Sequence, residues 1–174
     1  GLLDKKLSRG FIKQEEKDAF LDKIKTTDNP SDISDCQLVI EAVFESRELK
    51  ATVTKESESV IADNAVFASN TSTLPITGLA EASERPENFI GLHFFNPVAK
   101  LPLVEVIRCE DTDAATLDSA IAFVKAIGKF PLECKSSPGF VVNRFFVPWL
   151  NEACRLLEEG VASTAQIDAV ACDA

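Results

Sequence analysis

The spacing of apolar positions changes several times along the chain, and each change marks an element. Up to about residue 27 the apolar residues Phe11, Ala19, Phe20, Leu21 and Ile24 recur at helical intervals among charges, until Asp28-Asn29-Pro30 breaks the pattern. A helix followed by a loop is expected there. Leu38-Val39-Ile40-Glu41-Ala42-Val43 is a continuous run with β-branched residues, the pattern of a parallel strand buried on both faces. Over 46–61 charges and apolar residues alternate at helical intervals, and Ala65-Val66-Phe67-Ala68 restores a buried strand. The unit reads as strand, helix, strand, which favours a right-handed crossover in a parallel sheet.

The pattern continues with a short helix over 74–82 and strands over 89–95 and 103–108, with Pro97 and Pro102 framing their connection. Thr112 and Asp113 can cap a helix through Leu117, Ile121, Val124 and Ile127, Gly128 can close it, and 129–134 reads as a last strand. Ser136-Ser137-Pro138-Gly139 is the clearest punctuation in the chain. After it a long helix over 141–159 ends at Gly160, and Ser163-Thr164-Ala165-Gln166 can start another. A sheet that binds a dinucleotide normally opens with a strand running into G-x-G-x-x-G, whose glycines let the backbone approach the pyrophosphate. No such string occurs, and the chain is expected to lack that opening unit as well as the remainder of its helical part.

Charge narrows the function classes. The 18 Lys plus Arg against 28 Asp plus Glu give a net charge of -10, which argues against nucleic acid and anionic membranes as partners. No apolar run approaches the ~20 residues needed to span a bilayer, so a protein without a membrane span is expected. Cys36, Cys109, Cys134, Cys154 and Cys172 form no C-x-x-C pair and no cluster with histidine, so buried free thiols in a reducing cytosol, and no metal, are expected.

His93 is the single histidine and the one side chain whose ordinary pKa lies near neutrality. On a buried strand it reads either as a hydrogen-bonded core residue or as a proton acceptor. Its place near the carboxyl end of a strand, where open parallel sheets keep their ligand crevice, favours the second reading. Glu105 interrupts the apolar run Leu103-Val104-x-Val106-Ile107. It is either an exposed residue of an edge strand or a buried acid that needs a partner, which a histidine on the adjoining strand could supply. Such a pair suits alcohol oxidation, in which hydride leaves the carbinol carbon and the hydroxyl proton must go to a base. Ser69-Asn70-Thr71-Ser72-Thr73 follows a strand and reads as a helix cap or as polar groups gathered on the edge that carries His93. Asn143 is a poor helix former in a helix, which allows a polar task or an ordinary surface position. Lys5, Lys6, Arg9 and Lys13 make a basic cluster that reads as a solvated helix face or a contact for phosphates.

Glu41-Ala42-Val43-Phe44-Glu45, Ala68-Ser69-Asn70-Thr71-Ser72-Thr73-Leu74, Gly91-Leu92-His93-Phe94-Phe95-Asn96-Pro97, Leu103-Val104-Glu105-Val106-Ile107 and Pro138-Gly139-Phe140-Val141-Val142-Asn143-Arg144 resemble, in order and spacing, the motifs of L-3-hydroxyacyl-CoA dehydrogenases. The likeness covers nearly the whole chain. Arg47-Glu48-Leu49-Lys50 and Arg85-Pro86-Glu87-Asn88-Phe89-Ile90-Gly91 are most similar to the versions fused to an enoyl-CoA hydratase in multifunctional β-oxidation proteins. The resemblance implies an α/β fold, a partial Rossmann-like, mostly parallel sheet with flanking helices. An NAD-binding domain over 1–136 is then followed by the start of an all-α C-terminal domain over 137–174. It implies His93 as general base, Glu105 as its orienting partner, and Ser72 and Asn143 as hydrogen-bonding groups for the substrate. Glu45, Lys50, Asn70, Ser72 and Asn96 match positions along the nicotinamide end of NAD. An acyl-CoA thioester is the implied substrate, in a homo-oligomer or a larger multifunctional chain of the bacterial cytoplasm or an organelle. The chain alone is expected to have little activity. A non-catalytic relative that kept the fold, and a dehydrogenase of a non-CoA hydroxy acid or sugar acid, stand as the other readings.

Overall fold

The computed structural model describes residues 1–173 and divides into two compact units, Gly1–Asp32 and Ile33–Ala174. In the first, α1 (Leu2–Ser8) and α2 (Gln14–Leu21) are separated by a turn in which Gly10 takes φ of 72°, a left-handed conformation that costs glycine little. The single helix expected to residue 27 is therefore two shorter ones. Helical spacing persists across Gly10 while the backbone turns there, and Lys17 of α2 bonds back to Asp4 of α1 at 2.7 Å.

The second unit is built on a five-stranded sheet in the order β1 (Leu38–Glu41), β2 (Val66–Ser69), β3 (Phe89–Phe94), β4 (Leu103–Arg108) and β5 (Phe130–Lys135). β1, β2 and β3 are mutually parallel, and β4 and β5 are parallel to each other, but β4 runs antiparallel to β3. Mostly parallel pairing with flanking helices is the expected α/β class. Helix α3 (Arg47–Glu58) packs near β1, and α4 (Ile76–Ala80) packs on β3 and β4. Helix α5 (Ala114–Ala126) contacts β3, β4 and β5, and its start is capped by the Asp113 side chain, which accepts from Thr116 N.

Side chains alternate across a strand, so each strand feeds two cores. Phe67, Phe89 and Ile107 join Ile76, Leu79 and Ala80 of α4 in one; Val66, Ala68, Ile90, Leu92, Val104 and Val106 join Ala120 and Val124 of α5 in the other. The α4 side is closely packed at Gly91. A Cβ on Gly91 would meet Ile76 at 2.8 Å and Ile107 at 3.0 Å, so a glycine here lets the helix lie directly on the sheet. By the same alternation His93 and Glu105 fall on the face shared by Phe89, Gly91 and Ile107.

After β5 the chain turns into α6 (Val142–Glu158) and α7 (Thr164–Asp173), which pair with each other. No residue of α6 is buried; Phe145, Phe146, Trp149 and Leu150 are all exposed. The cysteines depart from expectation in consequence. All five are free, but Cys109 alone is buried, while Cys154 and Cys172 on α6 and α7 are exposed, because those apolar helices have little packed over them. Among the described residues no helix is long and apolar enough to cross a membrane, and no group of three or more His, Cys, Asp or Glu could hold a metal ion.

Candidate active site

β3 and β4 place His93 directly opposite Glu105. Both side chains lie inside, with His93 3% and Glu105 0% exposed, and His93 Nδ1 stands 2.7 Å from Glu105 Oε2. Glu105 therefore sits on an interior strand, and its partner is the imidazole. Phe95 and Phe140 flank the ring at centroid distances of 4.4 and 5.7 Å. Nε2 of His93 has no protein partner among the described residues, yet no buried side-chain nitrogen or oxygen is left unpartnered. Nε2 thus reaches the surface while Nδ1 faces the acid.

The other oxygen of Glu105 is held from the far side of the sequence. Oε1 accepts from Val141 N at 2.9 Å and Val142 N at 2.8 Å, at the entry to α6. Burial alone would push this carboxyl up, but the bond from His93 and the two amides outweigh it and hold it below the usual carboxylate range. Phe140 makes the amides available. It is buried and adopts φ of 45°, a conformation that costs a non-glycine residue about 1–3 kcal/mol and persists where packing enforces it.

The second side of the site is the loop over 69–74, after β2. One oxygen of Glu45, Oε1, accepts from Thr71 Oγ1, Ser72 N, Thr73 N and Thr73 Oγ1, at 2.5, 3.0, 3.1 and 3.0 Å. Burial works against ionisation, but the Thr71 hydroxyl, the Thr73 amide and hydroxyl and the Lys50 ammonium bring the carboxyl down to about 2. Asn70 Oδ1 accepts from Phe94 N at 2.9 Å, joining the loop to the end of β3 one residue beyond His93. Asn143 Nδ2 donates to Ser72 O at 3.1 Å, across 71 positions of sequence.

The structure thus brings His93, Glu105, Ser72, Asn143, Asn70 and Glu45 into one connected set. Asn96 is exposed just after β3. Lys50 is placed differently: it is 2% exposed and its ammonium turns inward to Glu41, Glu45 and the Val43 carbonyl. Sequence reasoning missed the amides of Val141 and Val142, the Phe140 ring and Glu41. A proline and a glycine ahead of Phe140 were the available signal for a special backbone there.

Asn70 and Ser72 follow the carboxyl end of β2 and Asn96 follows that of β3, a polar edge compatible with the nicotinamide end of NAD. A pyrophosphate cradle of the G-x-G-x-x-G type is not among these 174 residues.

Residues 1–137 match the family model for the 3-hydroxyacyl-CoA dehydrogenase NAD binding domain, and residues 139–174 match that for the C-terminal domain. The chain is 44% identical over 169 residues to the fatty acid oxidation complex subunit alpha of Psychrobacter cryohalolentis, covering 97% of this chain and 23% of that one. It is 47% identical over 143 residues to the mitochondrial hydroxyacyl-coenzyme A dehydrogenase of Sus scrofa, covering 82% and 46%. The crystal structure of FadB2 from M. tuberculosis superposes with a TM-score of 0.88 at 40% identity, covering 94% of this chain and 58% of that one. The chain therefore spans less than half the length of these two curated relatives. With a sheet, a histidine–glutamate pair and two domain models agreeing, the chain belongs to the 3-hydroxyacyl-CoA dehydrogenase family, and its larger part is that family's NAD-binding domain.

Proposed function

We propose that this site oxidises an L-3-hydroxyacyl-CoA to the 3-oxoacyl-CoA, with hydride passing to NAD, and that His93 is the base. The observation that carries the reading is the buried contact between His93 Nδ1 and Glu105 Oε2 at 2.7 Å. An ionised Glu105 can only accept, so Nδ1 carries the hydrogen and Nε2 presents its lone pair. When Nε2 takes the carbinol proton, the imidazolium forms against a carboxylate already in place. Glu105 cannot swing away to meet solvent, because Val141 N and Val142 N hold its second oxygen.

Ser72 Oγ and Asn143 Oδ1 have no protein partner among the described residues and are free to orient the substrate's oxygen near Nε2. Asn70, Ser72, Asn96 and the exposed edge of Glu45 would border the nicotinamide, with Lys50 acting from behind them. NAD, when bound, supplies the hydride acceptor. The NAD-binding part ends at 136 and the helical part begins at 137 in this reading, where Ser137 and Pro138 lead into α6. Likeness to an alpha subunit across 97% of the chain supports a larger multifunctional polypeptide, of the bacterial cytoplasm or of an organelle.

A graft tests the proposal. With this chain in place of the matching residues of a full-length relative, NADH should form from an L-3-hydroxyacyl-CoA and not from the free 3-hydroxy acid. His93→Gln should abolish it, and near-normal turnover by that variant overturns the reading.

A further inference from the structure

Glu41, Lys50 and Glu45 cluster beside the carboxyl end of β1 and take no part in the proton transfer. Glu41 is 4% exposed and Lys50 2% exposed. Charges withdrawn from water to this depth need matched partners, and stranding one is strongly destabilising. The partners here lead to the loop after β2. Glu41 accepts from Lys50 Nζ through both oxygens at 2.8 and 3.1 Å, from Ser69 Oγ at 2.7 Å and from Val43 N at 2.6 Å. Ser69 Oγ accepts in turn from Thr71 N at 3.4 Å. Lys50 reaches Glu45 Oε2 at 3.3 Å, and the other oxygen of Glu45 holds Thr71, Ser72 and Thr73. The loop is gripped at its start through Ser69 and at its middle through Glu45, and both grips end on the Glu41–Lys50 pair.

We propose that Glu41 is a positioning residue of this active site. Its buried charge fixes Lys50, and through Lys50 and Glu45 it sets where Asn70 and Ser72 stand relative to His93. The catalytic consequence rests on the dehydrogenase reading above; the structural linkage does not. A displaced loop disturbs the site in two places at once, because Asn70 is bonded to the end of β3 and Ser72 to Asn143. Glutamine at position 41 keeps the shape but offers Lys50 a neutral oxygen. Aspartate keeps the charge and shortens the reach. A charge-based role ranks aspartate above glutamine, whereas a packing role ranks them the other way.

Two measurements test this. On the 174-residue chain, the amide resonances of Ser72 and Thr73 report their bonds to Glu45. Glu41→Gln should move both and Glu41→Asp should move them less; unmoved amides in Glu41→Gln overturn the proposal whatever the enzyme turns over. Where Glu41→Gln does not fold, Ser69→Ala cuts one tie with little change in volume, and it should shift the Thr71 and Ser72 amides; silence there is equally fatal. In the grafted enzyme, Glu41→Gln should lower kcat/KM by about 10- to 100-fold, the scale of a small misplacement of reacting groups. Added to Ser72→Ala it should cost less than it does alone, because part of its effect runs through the Ser72 hydroxyl and the rest through Asn70. An equal loss in both backgrounds reports lowered stability alone and overturns the role. Turnover surviving His93→Gln would instead remove the dehydrogenase reading and leave the amide result standing.

Discussion

Two carboxylates, Glu105 and Glu45, hold opposite sides of one site, and both are kept ionised by different means. Glu105 is 0% exposed and faces an imidazole that can itself gain a proton, with two backbone amides behind. The Glu45 side chain is 37% exposed and faces hydroxyls, amides and a buried ammonium, all of them acting as donors to it. Glu105 is therefore wired into proton transfer and Glu45 into geometry. The lesson is that a depressed pKa alone does not set a carboxylate's role; the partner's chemistry does.

The largest effect expected from breaking that contrast comes from changing each acid to its amide in the grafted enzyme. Glu105→Gln removes the charge that receives the imidazolium and loosens the tautomer, so kcat should fall roughly 100- to 10,000-fold, the range for a disabled general base. Glu45→Gln leaves His93 and its partner intact and should cost about 10- to 100-fold through the loop. Its pH–rate profile should keep the wild-type shape, while that of Glu105→Gln changes. Equal losses and equal profiles would erase the distinction between the two acids.

How far the sequence foretold this can be judged residue by residue. A carboxylate interrupting the apolar run over 103–107 demands a partner, and the one histidine is the available one, so the contact was legible. The direction of β4 was not, because a period of two carries no sense of direction. The inward course of Lys50 was not legible, because it depends on Glu41, whose place at the end of an apolar strand resembles ordinary strand termination. The reversal at Gly10 was hidden because helical spacing continues on both sides of it. Apolar content likewise cannot tell what covers a helix, which is why Cys154 and Cys172 read as buried and are exposed.

A smaller effect should appear in acid. The carboxyl of Glu45 falls from an ordinary 4.5 to about 2 in the fold, so its stabilisation is complete above about 4.5 and is lost as the pH falls toward 2. Glu105 is also depressed, and its contribution likewise fades as the pH falls below its ordinary 4.5. Amide resonances separate the two, with Ser72 and Thr73 reporting Glu45 and with Val141 and Val142 reporting Glu105. The Ser72 and Thr73 signals should hold steady through pH 4.5 and shift with a midpoint of about 2. A midpoint near the ordinary value would mean that the loop does not grip its acid.

The smallest effect, and the most selective, concerns Cys134. This thiol lies on β5 opposite Ile107 and is pushed up from an ordinary 9.0 to about 11, first by burial and then by the charges of Glu105 and Glu133. A thiol with a raised value favours its neutral form in the fold. Its stabilisation is therefore complete below about 9 and is lost as the pH rises through about 11. Because the thiolate is the reactive species, alkylation rates read the ionisation directly. Cys134 should react only as an alkaline titration approaches about 11. Glu105→Gln removes one of the charges that raises it and should bring its midpoint down, whereas Glu45→Gln should leave it where it was. Cys134 then senses the charge of one acid and not the other, without substrate or turnover. An unchanged midpoint in Glu105→Gln would show that this carboxyl is not the buried anion on which the proton-transfer role depends.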